Sequence, residues 1–329
     1  MAAGRRRVNR DSVASSNGVL SVVREARRAL VLGIGGGGDV VGALAVARLC
    51  EAFGTPTVLG GVSWERAAID PHPGPRPIAE IRQAEPLGDA AVLAGPPTST
   101  PDGIPFSEAR MAEHLGTSTV LVDVSLGAVG AAAGVVAAAE ALDCDLLVGV
   151  DVGGDVLARG AEPGLASPLC DAVMVAAALH ASEQLQSVLA VVGPGCDGEL
   201  SPAEVLERTA ALGRAGAWLG AWGVTPEIAD ELEAAAERVP TEASLQVARC
   251  ARGESGETHI RGGRRRVELG PVGALILLFD PAAAAVSGEL PLVTAVAGTR
   301  SIEEGRAALA RLGVHTELDY ERARAQEGS

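Results

Sequence analysis

Residues 29–43 read ALVLGIGGGGDVVGA. An apolar run enters a segment with six glycines among the ten residues 33–42, and a second apolar run with helical spacing leaves it. The pattern predicts a strand, a tight loop and a helix, because glycine lets the backbone turn sharply and bring its N–H groups against a ligand at the helix N-terminus. Gly33, Gly35 and Gly38 satisfy G-x-G-x-x-G, with Gly36 and Gly37 filling the gap. The loop, closed by Asp39, reads first as a binding loop.

Working outward, residues 39–53 keep helical apolar spacing and residues 57–62 form a second strand. Residues 119–124, 145–150 and 187–192 are further strands, each running into glycine and then a helical pattern. Ser201, Pro202 and Glu204 give one such helix a capping box with proline at its first position. Strands alternating with helices predict an α/β fold, a Rossmann-like doubly wound and mostly parallel sheet. Residues 1–28, rich in Arg and Ser, are expected to be a poorly ordered extension with a short helix near 19–27. Residues 29–312 are expected to form a single α/β domain. It carries a long proline-rich excursion at 63–117, of which residues 64–75 are expected to form a wall or lid, and an arginine-rich hairpin at 258–269. The polar residues 313–329 are expected to be a loose tail.

Composition narrows the partners. The 329 residues carry a formal charge of -15, with 47% hydrophobic and 2% aromatic residues. The core must therefore be built from Ala, Val and Leu, and the acidic balance argues against nucleic acid or an anionic membrane as partner. All 27 basic residues are arginine. Without lysine there is no Schiff base, no conventional pyridoxal phosphate anchor and no Walker lysine, so anion recognition falls to arginine. Five scattered cysteines suit a reducing compartment, and a cytoplasmic location is expected. Self-association through surface helices is a further expectation for a sheet protein of this size.

In an open parallel sheet, ligands sit beyond the carboxyl ends of the strands. Four such ends carry glycine with a carboxylate: Asp39; Asp123 with Ser125; Asp151 with Gly153, Gly154 and Asp155; and Asp197 with Glu199. Their expected convergence offers hard oxygen ligands for Mg²⁺, with Asp151 and Asp155 as its ligands and Asp123, Asp151 and Asp155 as catalytic groups. Ser125, Gly153, Gly154, Asp197, Arg66 and Arg261 are expected to bind substrate. Residues 31–40 (VLGIGGGGDV) echo 147–156 (LVGVDVGGDV), as though one loop had been used twice. A nucleotide or NAD(P) is the competing ligand. Against it, the second strand ends without the acidic residue that holds a ribose, and Asp39 sits where a pyrophosphate would lie. His72 and His259 are candidate acid/base groups.

The segments GIGGGGDVVGAL at 33–44, GGVSWER at 60–66, DPHPGP at 70–75 and GCDGELS at 195–201 together resemble domain of unknown function family 1152, an uncharacterised and mostly archaeal family. The resemblance spans nearly all the chain after residue 28 and implies a fold and a site, without a reaction. The loop 35–42 is also similar to the G-x-G-G-[DN]-x-x-G loop of D-glutamate cyclases. That likeness implies a lyase acting on a small amino or carboxylic acid, with Asp39 facing the amine. The sequence-based expectation is a metal-assisted enzyme, lyase or transferase, acting on a small phosphorylated or carboxylate metabolite. The alternatives are an NAD(P)- or nucleotide-dependent oxidoreductase and a non-catalytic ligand-binding protein.

Overall fold

A computed structural model describes residues 18–327. Its strands are β1 (Ala29–Gly33), β2 (Thr57–Val62), β3 (Arg82–Pro86), β4 (Ala91–Ser99), β5 (Thr119–Val122), β6 (Leu146–Val152), β7 (Gln186–Val192), β8 (Trp218–Gly223), β9 (Gly256–Ile260), β10 (Arg265–Leu269) and β11 (Leu275–Phe279). Nine of them form one sheet in the order β3-β4-β5-β2-β1-β6-β7-β11-β8, while β9 and β10 pair separately as a hairpin. The central five, β5-β2-β1-β6-β7, are parallel. Antiparallel strands extend both edges. Taken in chain order, the parallel strands lie 3-2-1-4-5, so the winding reverses between β1 and β6. That reversal opens a crevice at their carboxyl ends.

Every residue of β1 and β6 is buried, as expected for strands covered on both faces. Alternate residues serve opposite layers. Leu30, Leu32 and Leu147 face a core shared with the helices Gly127–Ala141 and Pro168–Ala181. Val31, Val148 and Val150 face one shared with the helix Asp39–Ala52. With so few aromatic residues, close approach replaces bulk: a Cβ at Gly33 would lie 2.7 Å from the backbone of Asp39 and Val40, so strand and helix pack nearly backbone to backbone.

The excursion at 63–117 is more structured than its prolines imply. It contains β3, β4 and the helix Ser107–Leu115. Pro96 and Pro97 are tolerated in β4 because they fall at a register break in its pairing with β3 and beyond the four residues that pair with β5. The tail is also folded: Glu317–Glu327 is a helix that buries Glu317, Leu318 and Glu321. Of the N-terminal extension, Gly18–Glu25 is a helix burying Val19, Val22 and Val23, and the rest of that expectation lies outside the described residues. The edge strand β8 has no counterpart among the strands expected from the sequence. No helix among the described residues is long and apolar enough to cross a membrane.

Candidate functional site

A cleft of about 370 Å³ opens at the winding reversal. Its floor is acidic. Asp39 opens the helix that follows β1, Asp151 lies near the end of β6, and Asp155 lies three residues beyond it. Asp171 sits in the first turn of the helix Pro168–Ala181, while Asp197 and Glu199 come from the loop after β7. Helix N-termini supply positive potential to Asp39 and Asp171, worth up to about 1 kcal/mol each. The repulsion among them is larger.

These carboxylates fall into two trios, Asp39 with Asp151 and Asp171, and Asp155 with Asp197 and Glu199. Within each trio one oxygen per residue lies within 4.8 Å of the others. At that separation two ionised carboxylates repel by about 3 kcal/mol or more in surroundings of effective dielectric ~20. Three such pairs rival the stability of a whole domain, so each trio must hold protons or a cation. Burial, ahead of the charge on neighbouring acids, pushes Asp155, Asp171 and Asp197 far above the carboxylate range. It raises Asp151 to about 8, with Asp39 adding to the effect. It raises Asp39 to about 7 against the opposing pull of Arg66 and the Gly35 amide.

Some of these oxygens have partners. Asp39 Oδ2 accepts from the Gly35 amide at 3.0 Å, and Asp151 Oδ2 accepts from the Val156 amide at 3.2 Å. Glu199 accepts from the Ala166 and Ser167 amides and the Ser167 hydroxyl and pairs with Arg265 at 2.7 Å. Burial raises it, but Arg265 and those hydrogen bonds win and hold it below the usual glutamate value. In contrast, Asp155 Oδ2, Asp171 Oδ1 and Asp197 Oδ1 are buried without a hydrogen-bond partner. Such orphaned oxygens are costly unless something else meets them. Hard divalent cations fit this donor set.

Arg66, Arg261 and Arg265 complete the wall. Arg66 donates to the Gly35 carbonyl, stacks over Trp64 and lies 3.7 Å from Glu317. Arg261 adopts a left-handed backbone (φ 55°) at the hairpin turn, and its amide donates to Glu242. The hairpin therefore reaches the site. The remote C-terminal helix braces it: Glu317 accepts from the Leu169 and Cys170 amides beside Asp171, and Glu321 accepts from Trp64 Nε1 and the Gly74 amide.

The sequence model of a family described as "Protein of unknown function (DUF1152)" matches residues 30–325. The chain belongs to the DUF1152 family. Neither a curated protein nor a solved structure matches it.

Of the residues expected to form the site in this DUF1152 protein, Gly35, Gly36, Gly37, Gly38, Asp39, Arg66, Asp151, Asp155, Asp197 and Arg261 line one cleft. Asp123 and Ser125 do not. They follow β5, two strands from the winding reversal, and the Asp123 carboxylate is spent on the amides of Ile78 at 2.9 Å and Ser125 at 2.8 Å. Gly33, Gly153 and Gly154 shape the cleft without lining it: Gly153 (φ 122°) leaves the room that the Asp197 carboxyl fills. Asp151 and Asp155 belong to different trios, although they stand only four positions apart and both line the cleft. Of the expected wall at 64–75, only Glu65, Arg66, Ala68 and Ile69 reach the cleft, and neither His72 nor His259 does. Glu65 lies near the ribose position of a dinucleotide fold, but Ser107 occupies its carboxylate. Asp171 was missed, although an aspartate within the apolar run PLCDAVMVAAALHA was a legible signal. Thr241 and Glu242 carried none.

Proposed function

We propose that this DUF1152 protein is an enzyme using a divalent cation, Mg²⁺ foremost, to act on a small phosphorylated or carboxylate metabolite. The observation that carries the reading is the set of buried, unpartnered oxygens on Asp155, Asp171 and Asp197 lining the same cleft as Arg66 and Arg261. The carboxylates would hold the cation, which would supply Lewis-acid polarisation of the anion, and the arginines would fix the anion's orientation. A cytoplasmic, reducing setting fits the five buried free thiols.

A thermal-shift screen of nucleotides, NAD(P), sugar phosphates and amino acids, each with and without Mg²⁺, tests the reading. Ligand at ~100-fold its dissociation constant adds about 2.7 kcal/mol, a shift of several degrees. The expected hit is an anion that needs Mg²⁺ and is lost in Asp155→Asn. The strand order favours one rival, a nucleotide cofactor. A metal-independent NAD(P) shift would replace the proposal with an oxidoreductase.

A further inference from the structure

Resting on that reading, we propose that the cleft takes two divalent cations, one against Asp39, Asp151 and Asp171 and one against Asp155, Asp197 and Glu199, and that its anion is a phosphate ester. Each trio has its own orphaned oxygen: Asp171 Oδ1 in the first, and Asp155 Oδ2 and Asp197 Oδ1 in the second. Asp155, Asp171 and Asp197, which carry these oxygens, are each at least 95% buried. Asp151 near the end of β6 and Asp155 in the turn just after it bring the two trios side by side in one cleft, so the two cations are neighbours.

Charge balance makes the second cation necessary for anion binding. Once ionised, the six carboxylates and Glu317, the buried partner of Arg66, face three arginines, which leaves four negative charges. Two other acids line the cleft, but Glu65 faces Arg110 and Glu242 is exposed to solvent. With one divalent cation the floor remains negative and repels an anion. With two the charges balance, and an anion meets both cations without net repulsion.

The ligand class follows from the remaining donors. Arg66 Nη1 and Arg261 Nε are buried without hydrogen-bond partners. A ligand meeting both arginines and both cations serves four partners, which the two oxygens of a carboxylate must share. A phosphate monoester carries three non-bridging oxygens besides its ester oxygen.

Titration calorimetry of the EDTA-stripped, full-length protein with MnCl₂ tests the stoichiometry. Two equivalents are expected, with one remaining in Asp171→Asn and one in Asp197→Asn. Each substitution removes a charge from a crowded buried cluster, and circular dichroism checks the fold. Electron paramagnetic resonance of the unsubstituted protein gives an answer that needs no variant: two neighbouring Mn²⁺ ions give an exchange-coupled spectrum, whereas one isolated ion gives six lines. A single equivalent with a six-line spectrum overturns the two-cation proposal and leaves the metal-dependent reading standing. No bound Mn²⁺ overturns both. Inorganic phosphate is expected to bind at least ten-fold more tightly with two Mn²⁺ per chain than with one. Acetate binding as tightly as phosphate would overturn the assignment to phosphate esters.

Discussion

The Gly35 amide donates to Asp39 Oδ2 at 3.0 Å, and a Cβ at Gly35 would collide with that same oxygen. The glycine thus both orients the carboxylate and leaves it room. Gly35→Ala is expected to displace Asp39, the neighbour of Asp171, while leaving the remote sheet intact. Mn²⁺ affinity should fall at least ~10-fold, about 1.4 kcal/mol, with a smaller change in unfolding free energy. Calorimetry with a parallel urea titration checks both. Unchanged affinity would remove Asp39 from the cation site.

Glu317 caps a helix through amides 148 and 147 residues away, an expectation that composition alone would not raise. It accepts from Leu169 at 3.0 Å and Cys170 at 2.8 Å, and both amides are buried. Glu317→Ala orphans them and withdraws a counter-charge from Arg66. The expected loss is about 2–4 kcal/mol, with the Asp171 region opening first. Amide hydrogen exchange at residues 168–175 would report it. Protection matching the unsubstituted protein would mean that the tail helix does not brace the cleft.

Arg265 is the principal cation beside Glu199, which is 4% exposed. Arg265→Met leaves that carboxylate with hydrogen bonds but no counter-charge. Removal of one partner of a buried pair costs about 3 kcal/mol. The same variant should bind added Mn²⁺ with at least unchanged affinity, because an arginine competing with the cation is gone. A stability loss with weakened Mn²⁺ binding would instead place Arg265 on the side of holding the site together.

The acidic floor gives the metal-free protein a distinctive pH dependence. Asp39 rises from its ordinary 3.8 to about 7 and Asp151 to about 8, and Asp155, Asp171 and Asp197 rise as well. The folded state therefore holds more protons than the unfolded one between roughly pH 4 and 8. The associated stability is complete below the ordinary carboxylate value and is lost as pH rises through the folded values. In EDTA, Tm should fall from pH 5 to 9, and Asp39→Asn should flatten the slope. Among the floor acids only Glu199 is held low and acts in the opposite sense, and its contribution, like that of Asp70 and Asp319, is lost on acidification below this window. Added Mg²⁺ should stabilise more at higher pH, since it displaces protons. A metal-free Tm that climbs with pH would contradict these shifts.

Much of the fold is legible because it is local. The expected strand at residues 57–62 matches β2, and residues 187–192 lie within β7, since buried parallel strands are written as short apolar runs ended by glycine. Ser201 and Glu204 form the reciprocal cap their spacing predicts. β3 and β8 are not legible. They are edge strands with partly polar or glycine-rich sequences, and pairing with a neighbour defines them more than their own residues do.

The candidate site divides in the same way. The glycines at 35–38 and the carboxylates at Asp39, Asp151, Asp155 and Asp197 could be read from the chain, because a loop at a strand's carboxyl end is recognisable from its own sequence. Only the tertiary structure decided that Asp123 is excluded, that Asp171, Arg265 and Glu317 belong, and that the acids divide into two trios. These facts depend on strand order and on contacts across as many as 250 residues. Local spacing carries no record of which strand ends become neighbours, and that adjacency places the charges within reach of one another.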